Sequence, residues 1–299
     1  MELSAAKNME MSKDPFRPIT GLPKLLKTLY LFGKSDIPAA TLPTMAIALV
    51  LTGSSNPILL AKAFVWNQLH LLTFQVKNQI DGVEEDRIAK PYRPLPAGRI
   101  TLEDAQALYY CLFGLMLLSG ISLNTLPCTI IYSVAIVVYN EGGLAVVPVL
   151  KNIIGAIGLA CYAWGTTTIL DHGRQPQGFK SLAALMICAI FATTGHAQDF
   201  RDRSADTLMG RKTIPLLLPQ GAARWSLAAL ILAWTVGLIV LWQPPIIASA
   251  VFFLLGMRCL GGYLLSYEEK DDYVSYCWYG FWLLASNLLP IFPRLRGDF

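Results

Sequence analysis

Two acidic clusters about 120 residues apart contain the side chains best suited to chemistry in this sequence. The first consists of Asn78, Asp81, Glu85 and Asp86, and the second of Asp199, Asp202 and Asp206. Residues spaced by three, four, seven or eight positions share one face of a helix, so each cluster presents its oxygen atoms in one direction. Facing carboxylates repel each other unless cations lie between them, and Mg²⁺ usually completes its octahedron with substrate phosphates and water. The spacing predicts a Mg²⁺ site that receives a phosphorylated substrate.

A basic segment rich in proline follows each acidic cluster. The first segment contains Lys90, Pro91, Arg93, Pro94 and Pro96, and the second contains Arg211, Lys212 and Pro215. Because proline disfavours continuation of a helix and stiffens a turn, these segments can direct their cations back at the carboxylates. Metal ions on one side and Lys or Arg on the other would bind a diphosphate and stabilise it as a leaving group. We predict that diphosphate is bound by Lys90, Arg93, Arg211 and Lys212.

The composition predicts a membrane protein. Hydrophobic residues make up 54% of the 299 residues and charged residues only 15%, which is outside the range of a soluble domain of this length. About nine apolar segments have roughly 20 residues, the length that crosses about 30 Å of hydrocarbon. They lie near 37–54, 58–80, 104–122, 125–140, 148–169, 179–198, 223–242, 245–264 and 274–292. We predict an all-α membrane protein with about nine transmembrane helices.

The distribution of Lys and Arg predicts the orientation in the membrane. Basic residues are concentrated in the N-terminal tail and in the loops after the second and sixth spans, whereas the turns near Ser54, Asn124 and Gln243 are uncharged. Those of the tail are Lys7, Lys13, Arg17, Lys24, Lys27 and Lys34. Loops rich in Lys and Arg stay in the cytoplasm, so both acidic clusters are expected there, at the endoplasmic reticulum if the protein is eukaryotic. The first 34 residues lack a signal-peptide pattern, and the first span is expected to act as the targeting signal.

No polar linker divides the chain, so we predict a cytoplasmic tail at 1–36 and one transmembrane domain at 37–299. The six cysteines have no metal-ligand spacing and are expected to be reduced and packed. Asn67 and Gln75 extend the polar face of the first cluster into the membrane, where they either join helices by hydrogen bonds or belong to the site. His70 is expected to be a packed histidine, and His196 lies close enough to Asp199 to reach the site.

These motifs resemble a known family. The residues from Asn78 to Gly98 and from Asp199 to Pro215 are similar to the two signatures of the UbiA superfamily of intramembrane prenyltransferases. The resemblance covers almost the whole chain and includes Lys151 and Asn152 at the start of the fifth span. It implies a nine-helix bundle around a central cavity, a cytoplasmic Mg²⁺-diphosphate site that includes Lys151, and an isoprenoid tail in an apolar chamber.

The first signature departs from the usual pattern of the superfamily. Gln79 and Gly82 stand where the first and middle Asp are expected, while Asp81 and Glu85 are each able to replace a lost carboxylate. The altered pattern resembles the fungal branch that contains membrane-bound terpene cyclases. The resemblance implies catalytic roles for Asn78, Asp86, Asp202 and Asp206. It implies metal binding by Asn78, Asp81, Glu85, Asp86, Asp199, Asp202 and Asp206.

Two reactions remain open. Loss of diphosphate leaves an allylic cation in a chamber without bulk water. If a distal double bond of the same molecule traps it, the enzyme is a terpene cyclase, with farnesyl diphosphate as the expected substrate. If an aromatic or quinone-precursor acceptor traps it, the enzyme is a prenyltransferase. Aromatic faces stabilise cations, but span aromatics usually pack, so no catalytic role is assigned to Tyr139, Tyr162, Trp164, Trp278 or Trp282.

Other classes of protein fit the sequence less well. A transporter would have broken helices at the membrane midplane, whereas the acids here lie at span ends beside basic loops. A scaffold protein would not need this combination of acids and cations. The expected partners are an isoprenoid diphosphate and membrane lipid, with no nucleic acid and no obligate protein partner.

Overall fold

The structure, a computed structural model, describes residues 21–298, and this part of the chain is helical without a β-strand. Its first half contains α1 (Leu22–Gly33), α2 (Leu42–Thr52, after a π-helical turn at Ile37–Thr41), α3 (Pro57–Asp81), α4 (Val83–Ala89), α5 (Leu102–Ser122), α6 (Leu126–Asn140) and α7 (Pro148–Leu170). Its second half contains α8 (Phe179–Thr194), a 3₁₀ helix at Gly195–Asp202, α9 (Arg203–Leu208), α10 (Ile214–Leu217), α11 (Gln220–Trp242), α12 (Ile246–Leu265), α13 (Glu269–Leu288) and α14 (Ile291–Arg296). The all-α prediction is confirmed.

A helix lies at every predicted span, but the count of nine transmembrane helices is not confirmed. Within residues 21–298, five helical segments are long and apolar enough to cross a membrane: α5, α7, α11, α12 and the segment Phe179–Leu208, which runs from α8 through the 3₁₀ helix to α9. There are six if α1 and the bent segment Ile37–Thr52 count as one span. α6 is apolar but has only 15 residues. Amides such as Asn67 and Gln75 lower the hydropathy of α3, and charged residues open α13.

The predicted N-terminal tail falls partly outside the described residues, including Lys7, Lys13 and Arg17. Its remaining part is structured, since α1 packs against α3 and Phe32 is buried. A bend of 61° separates α1 from the segment Ile37–Thr52. The location of the tail in the cytoplasm stays a prediction.

Proline and short polar side chains define the starts of several helices. Pro57 occupies the first turn of α3, where a missing N–H costs nothing, and the Asn56 side chain accepts hydrogen bonds from the next two free amides. Thr101 caps α5 in the same way. α3 and α8 both end beside an acidic cluster.

α7 lies among α2, α3, α6 and α8, which it contacts along most of its length. Gly165 of α7 lets it approach α3 closely, because a Cβ there would lie 2.1 Å from Cη2 of Trp66. Small residues give this kind of approach in membrane bundles, where apolar lipid provides little drive for helices to associate. This contact fixes α3 against α7, the helices that carry the first cluster and Lys151.

Hydrogen bonds between polar side chains also join these helices. Asn67 bonds to Thr41, Thr44 and Thr166 of neighbouring elements. The ring nitrogens of His70 lie 2.9 Å from the Trp66 carbonyl and 3.0 Å from the Thr129 hydroxyl. The packing prediction for His70 is therefore confirmed, and Asn67 joins helices. The six cysteines are free, as predicted, but Cys111 and Cys277 are exposed, so the prediction that all six are packed is wrong for these two.

We expect Gly165→Ala to lower the melting temperature of the purified protein in detergent, because the new methyl group must displace the rigid Trp66 indole. Overpacking of this kind costs about 1–3 kcal/mol. Gly237→Ala in α11 is the matched control, since nothing lies within 4 Å of a Cβ at that position. Equal melting temperatures for the two variants would contradict the tight contact.

Candidate functional site

The first acidic cluster lies at the junction of α3 and α4. Asp86 is buried, and Nη1 of Arg93 donates hydrogen bonds to both of its oxygens at 2.9 and 2.8 Å. Arg93 belongs to the proline-rich segment, which turns back as the sequence predicts. Asn78 is half-buried one turn before the end of α3. The structure therefore brings a predicted catalytic acid and a predicted diphosphate-binding cation together.

The second acidic cluster lies on a 3₁₀ helix followed by α9, rather than on one continuous α-helix. Asp199 and Asp202 are one 3₁₀ turn apart and project from the same side, because side chains three residues apart eclipse in this helix. Asp199 and Asp206 are buried, whereas 44% of the Asp202 side chain is exposed. Asp202 has only a 3.5 Å contact with Nε of Arg201. Its oxygens are thus the most accessible of this cluster.

α7 contributes a cation to the second cluster. Nζ of Lys151 donates a hydrogen bond to Oδ1 of Asp199 at 2.8 Å, and its charge also acts on Asp206. The other oxygen of Asp199, Oδ2, is buried without a partner in the part of the chain that the structure describes. The start of the fifth predicted span therefore joins the site, as the resemblance implies for Lys151.

Arg211 connects the two clusters. It forms an ion pair with Glu85 of α4, and its Nη1 lies 3.5 Å from Oδ1 of Asp206. Lys90 also lies near both clusters, since it interacts electrostatically with Asp202 and Asp86. Burial lowers the pKa of Lys90, and the adjacent Arg93 lowers it further. The predicted basic residue Lys212 is exposed.

Two positions of the first signature face away from this ion-pair network. Asp81 bonds to Lys77, and Lys77 pairs at 3.1 Å with Glu141. Gln79, which stands where an acid is usual, donates a hydrogen bond to the Phe32 carbonyl of α1. The contacts of Glu85 with Arg211 make it better placed than Asp81 to replace the lost carboxylate.

The carboxylates of the two clusters could hold a metal ion only together with other ligands. No group of three or more His, Cys, Asp or Glu side chains in residues 21–298 is close enough to hold a metal ion. Mg²⁺ needs only one or two carboxylates when substrate phosphates and water supply the other oxygens. The accessible Asp202 and the unpaired Oδ2 of Asp199 suit such a partial site. The residues fit a Mg²⁺ ion that binds together with a diphosphate.

Sequence reasoning missed two residues near the site. Asp36, at the bend after α1, accepts a hydrogen bond from Gln75 and interacts electrostatically with Arg93, Lys90 and Arg201. Tyr276 of α13 lies under the Arg201 guanidinium, 4.0 Å from ring centroid to Cζ. Asp36 looked like a loop residue, because it follows Lys34 and Ser35 just before the first span. The polar Gln75 was the available signal.

A buried ion-pair network anchors the second cluster to α11 and α13. Both ends of the Arg224 guanidinium bond to Asp272, at 2.7 and 2.8 Å, and neither side chain is exposed. Arg203, which lies within the second signature, also donates to Asp272 at 2.8 Å. Arg224 further bonds to the carbonyls of Tyr263 and Ser266. The network fixes α9 and thereby Asp206.

The aromatic residues singled out in the sequence, and His196, lie in different environments. Trp164 and Trp282 donate hydrogen bonds to Gln175 and Thr235, and Trp278 contacts Arg258, which fits the packing prediction. Tyr162 bonds to Tyr132 in the interior. Tyr139 is half-buried and interacts electrostatically with Lys151 and Arg211. His196 is buried, with no partner for Nε2 in the described residues.

Comparisons with known proteins place the sequence among related proteins. Residues 40–285 match the UbiA prenyltransferase family. The fumagillin beta-trans-bergamotene synthase of Aspergillus fumigatus is 67% identical over 273 residues, which cover 91% of this chain and 94% of that protein.

Solved structures have the same fold. A digeranylgeranylglyceryl phosphate synthase structure has a TM-score of 0.67 at 18% identity and covers 90% of this chain and 99% of that chain. A UbiA homologue from Archaeoglobus fulgidus bound to DMAPP and Mg²⁺ has a TM-score of 0.56 at 14% identity and covers 89% and 98%. Both matches span nearly the whole chain, so they extend to all the helices that surround the acidic clusters.

We expect Asp272→Ala to destabilise the protein strongly, because it leaves the buried Arg224 charge without a partner. Breaking a buried ion pair in this way costs about 3–5 kcal/mol. The melting temperature in detergent measures the effect. Asp298→Ala is the control, since it removes an exposed ion pair with Arg296. Similar small shifts in both variants would show that the network does not anchor α9.

Proposed function

The chain belongs to the UbiA prenyltransferase family, and from that premise we propose that it is a Mg²⁺-dependent terpene cyclase. Its proposed substrate is an isoprenoid diphosphate, and the proposed products are a cyclic terpene and free diphosphate. The 67% identity to a fungal bergamotene synthase over most of both chains carries this proposal. Bergamotene has fifteen carbons, which supports farnesyl diphosphate as the substrate.

The cations around the two clusters are the proposed diphosphate-binding groups. Lys151, Arg93 and Arg211 each contact a carboxylate, so a bound diphosphate would share or replace that carboxylate. Lys90 and Lys212 complete the proposed binding set. Charge-assisted hydrogen bonds of this kind are stronger than neutral ones and hold the leaving group in a fixed orientation.

The metal-binding groups are proposed to be Asn78, Glu85, Asp86, Asp199, Asp202 and Asp206. Asp81 belongs to the set that the resemblance implies, but its contact with Lys77 gives it the weakest claim. Bound Mg²⁺ supplies positive charge to the diphosphate oxygens, as it does in metal-assisted departure of a leaving group. The UbiA homologue from Archaeoglobus fulgidus bound to DMAPP and Mg²⁺ supports this assignment.

The proposed reaction begins when the allylic C–O bond breaks and its electron pair leaves with the diphosphate. Arg93, Lys151 and Arg211 stabilise the negative charge that develops on the leaving oxygen. The cation then closes onto a double bond of its own chain, which must be held in a near-attack conformation. Loss of a proton completes the terpene. Exclusion of water from the bundle protects the cation.

The proposal also includes the placement of the protein. The nine predicted helices would form one transmembrane domain at 37–299 around a central cavity, with the site on the cytoplasmic side. In a fungal cell the membrane that the helices cross would be that of the endoplasmic reticulum. Membrane lipid is the proposed surrounding, without nucleic acid or an obligate protein partner.

We expect Asp202→Ala and Asp206→Ala each to lower turnover by at least about 100-fold, because transition-state charge stabilisation contributes on that scale. Their melting temperatures should stay close to wild type. Diphosphate release from farnesyl diphosphate in Mg²⁺-containing liposomes measures turnover. Glu84→Ala is the control, since Glu84 is exposed and pairs with Arg87. Wild-type turnover in either Asp variant would remove that residue from the site.

A second experiment chooses between cyclase and prenyltransferase. Liposomes containing the protein, Mg²⁺ and farnesyl diphosphate without an acceptor should yield a cyclic sesquiterpene, and chelation of the metal should abolish it. A prenyltransferase lacks its second substrate under these conditions and should release little product. Farnesol alone, followed by a prenylated phenol when a phenolic acceptor is added, would contradict the cyclase.

A further inference from the structure

Asp36 lies where the chain bends between α1 and the first predicted span. Gln75 Nε2 donates a hydrogen bond to Asp36 Oδ2, and the Ser35 hydroxyl contacts the same oxygen at 3.4 Å. Gln75 is buried on α3, about one helical turn deeper than Asn78. The carboxylate is therefore held at the inner side of the candidate diphosphate site.

The carboxylate of Asp36 is not neutralised by a close cation. In residues 21–298 it forms no ion pair within 4 Å, although Arg93, Lys90 and Arg201 act on it electrostatically. Asp86, in contrast, is held directly by Arg93, and Asp199 is held by Lys151. Asp36 thus differs from Asp86 and Asp199 in having no cation bound directly to its carboxylate.

Aromatic side chains also lie near Asp36. It interacts electrostatically with the hydroxyl groups of Tyr132, Tyr139, Tyr162 and Tyr276, which belong to α6, α7 and α13. Burial raises the pKa of Asp36, and Arg93 and Lys90 oppose that rise. Yet Asp36 keeps part of its accessible surface. The Asp36 carboxylate is therefore largely enclosed by the protein but not fully buried.

This position suits one step of a cyclisation. The last carbocation must lose a proton: a C–H bond breaks, its electron pair forms the C=C bond, and the proton goes to a base. We propose that Asp36 accepts this proton, a role that rests on the proposed cyclase function. The proton leaves Asp36 for water when the product leaves, so the carboxylate is regenerated without any other reactant.

Other bases in the bundle are less suitable. Both ring nitrogens of His70 are engaged by Trp66 and Thr129. Nε2 of His196 is free of partners in the described part of the chain, so His196 is the competing candidate. Its ring lies beside Phe200, at 6.4 Å between centroids, on the 3₁₀ helix that carries the second cluster. The released diphosphate is the third possible base, and the experiment separates all three.

The test compares Asp36→Asn with wild type in liposomes containing Mg²⁺ and farnesyl diphosphate. Diphosphate release and the extracted terpenes are measured in the same samples. Asp36→Asn should release diphosphate within about fivefold of wild type, while the yield of the main alkene per diphosphate falls at least about 100-fold, the usual scale of general-base catalysis. Terpene alcohols or isomeric alkenes should replace it. Asp36→Glu should restore part of the main alkene.

Two controls separate this role from general damage. Asp104→Asn removes an exposed carboxylate at the start of α5 and should change neither measurement. His196→Gln should leave the identity of the main alkene unchanged. Melting temperatures establish that each variant is folded. If Asp36→Asn does not fold, Asp36→Glu decides, because its displaced carboxylate should change the alkene profile while diphosphate release continues.

Several results would overturn the inference. An unchanged alkene profile in Asp36→Asn would leave the proton to diphosphate or another base. A change of main alkene in His196→Gln but not in Asp36→Asn would assign it to His196. Loss of diphosphate release in a folded Asp36→Asn would place Asp36 in ionisation. Absence of terpene from wild type would refute the proposed function itself, before any variant is compared.

Discussion

Carboxylates at the end of a helical bundle need positive charge nearby, because a poorly solvating surrounding neither hydrates them nor screens their repulsion. Arg93 meets this need for Asp86, and Lys151 meets it for Asp199. Arg211 extends the pairing from Glu85 of the first cluster to the second. The ion pairs therefore join segments that are far apart in sequence, and they determine the shape of the candidate site.

The same pairing has a consequence for the proposed reaction. Arg93, Lys151 and Arg211 each lie beside a carboxylate, so an entering diphosphate would exchange one anionic partner for another. Carboxylates freed by that exchange become available to a metal ion that arrives with the substrate. This fits the lack of a group of three or more potential metal-ligating side chains in residues 21–298. Asp36 lies near Arg93 and Lys90 but forms no ion pair with them within 4 Å. Its carboxylate is therefore available for the proposed proton transfer.

The sequence by itself determined the features that depend on local spacing and composition. The lengths of the apolar segments predicted where the helices lie, and the acids with their proline-rich basic segments predicted the candidate site. The turn that brings Arg93 back to Asp86 follows from local chemistry, because only six residues separate the two and Pro91 among them disfavours continuation of the helix. The identity of Lys151 as a site residue came from the family resemblance, and its hydrogen bond to Asp199 agrees.

Only the tertiary structure decided which of several similar side chains meet. Asp81 and Glu85 were equivalent by spacing, yet one pairs with Lys77 and the other with Arg211. The count of transmembrane helices stayed open, because polar residues that look unfavourable for a span are satisfied by neighbouring helices. Asp36 looked like part of a tail until a bend placed it beside Gln75. Periodicity reports the face of one helix, whereas contacts depend on how that face is packed against residues far along the chain.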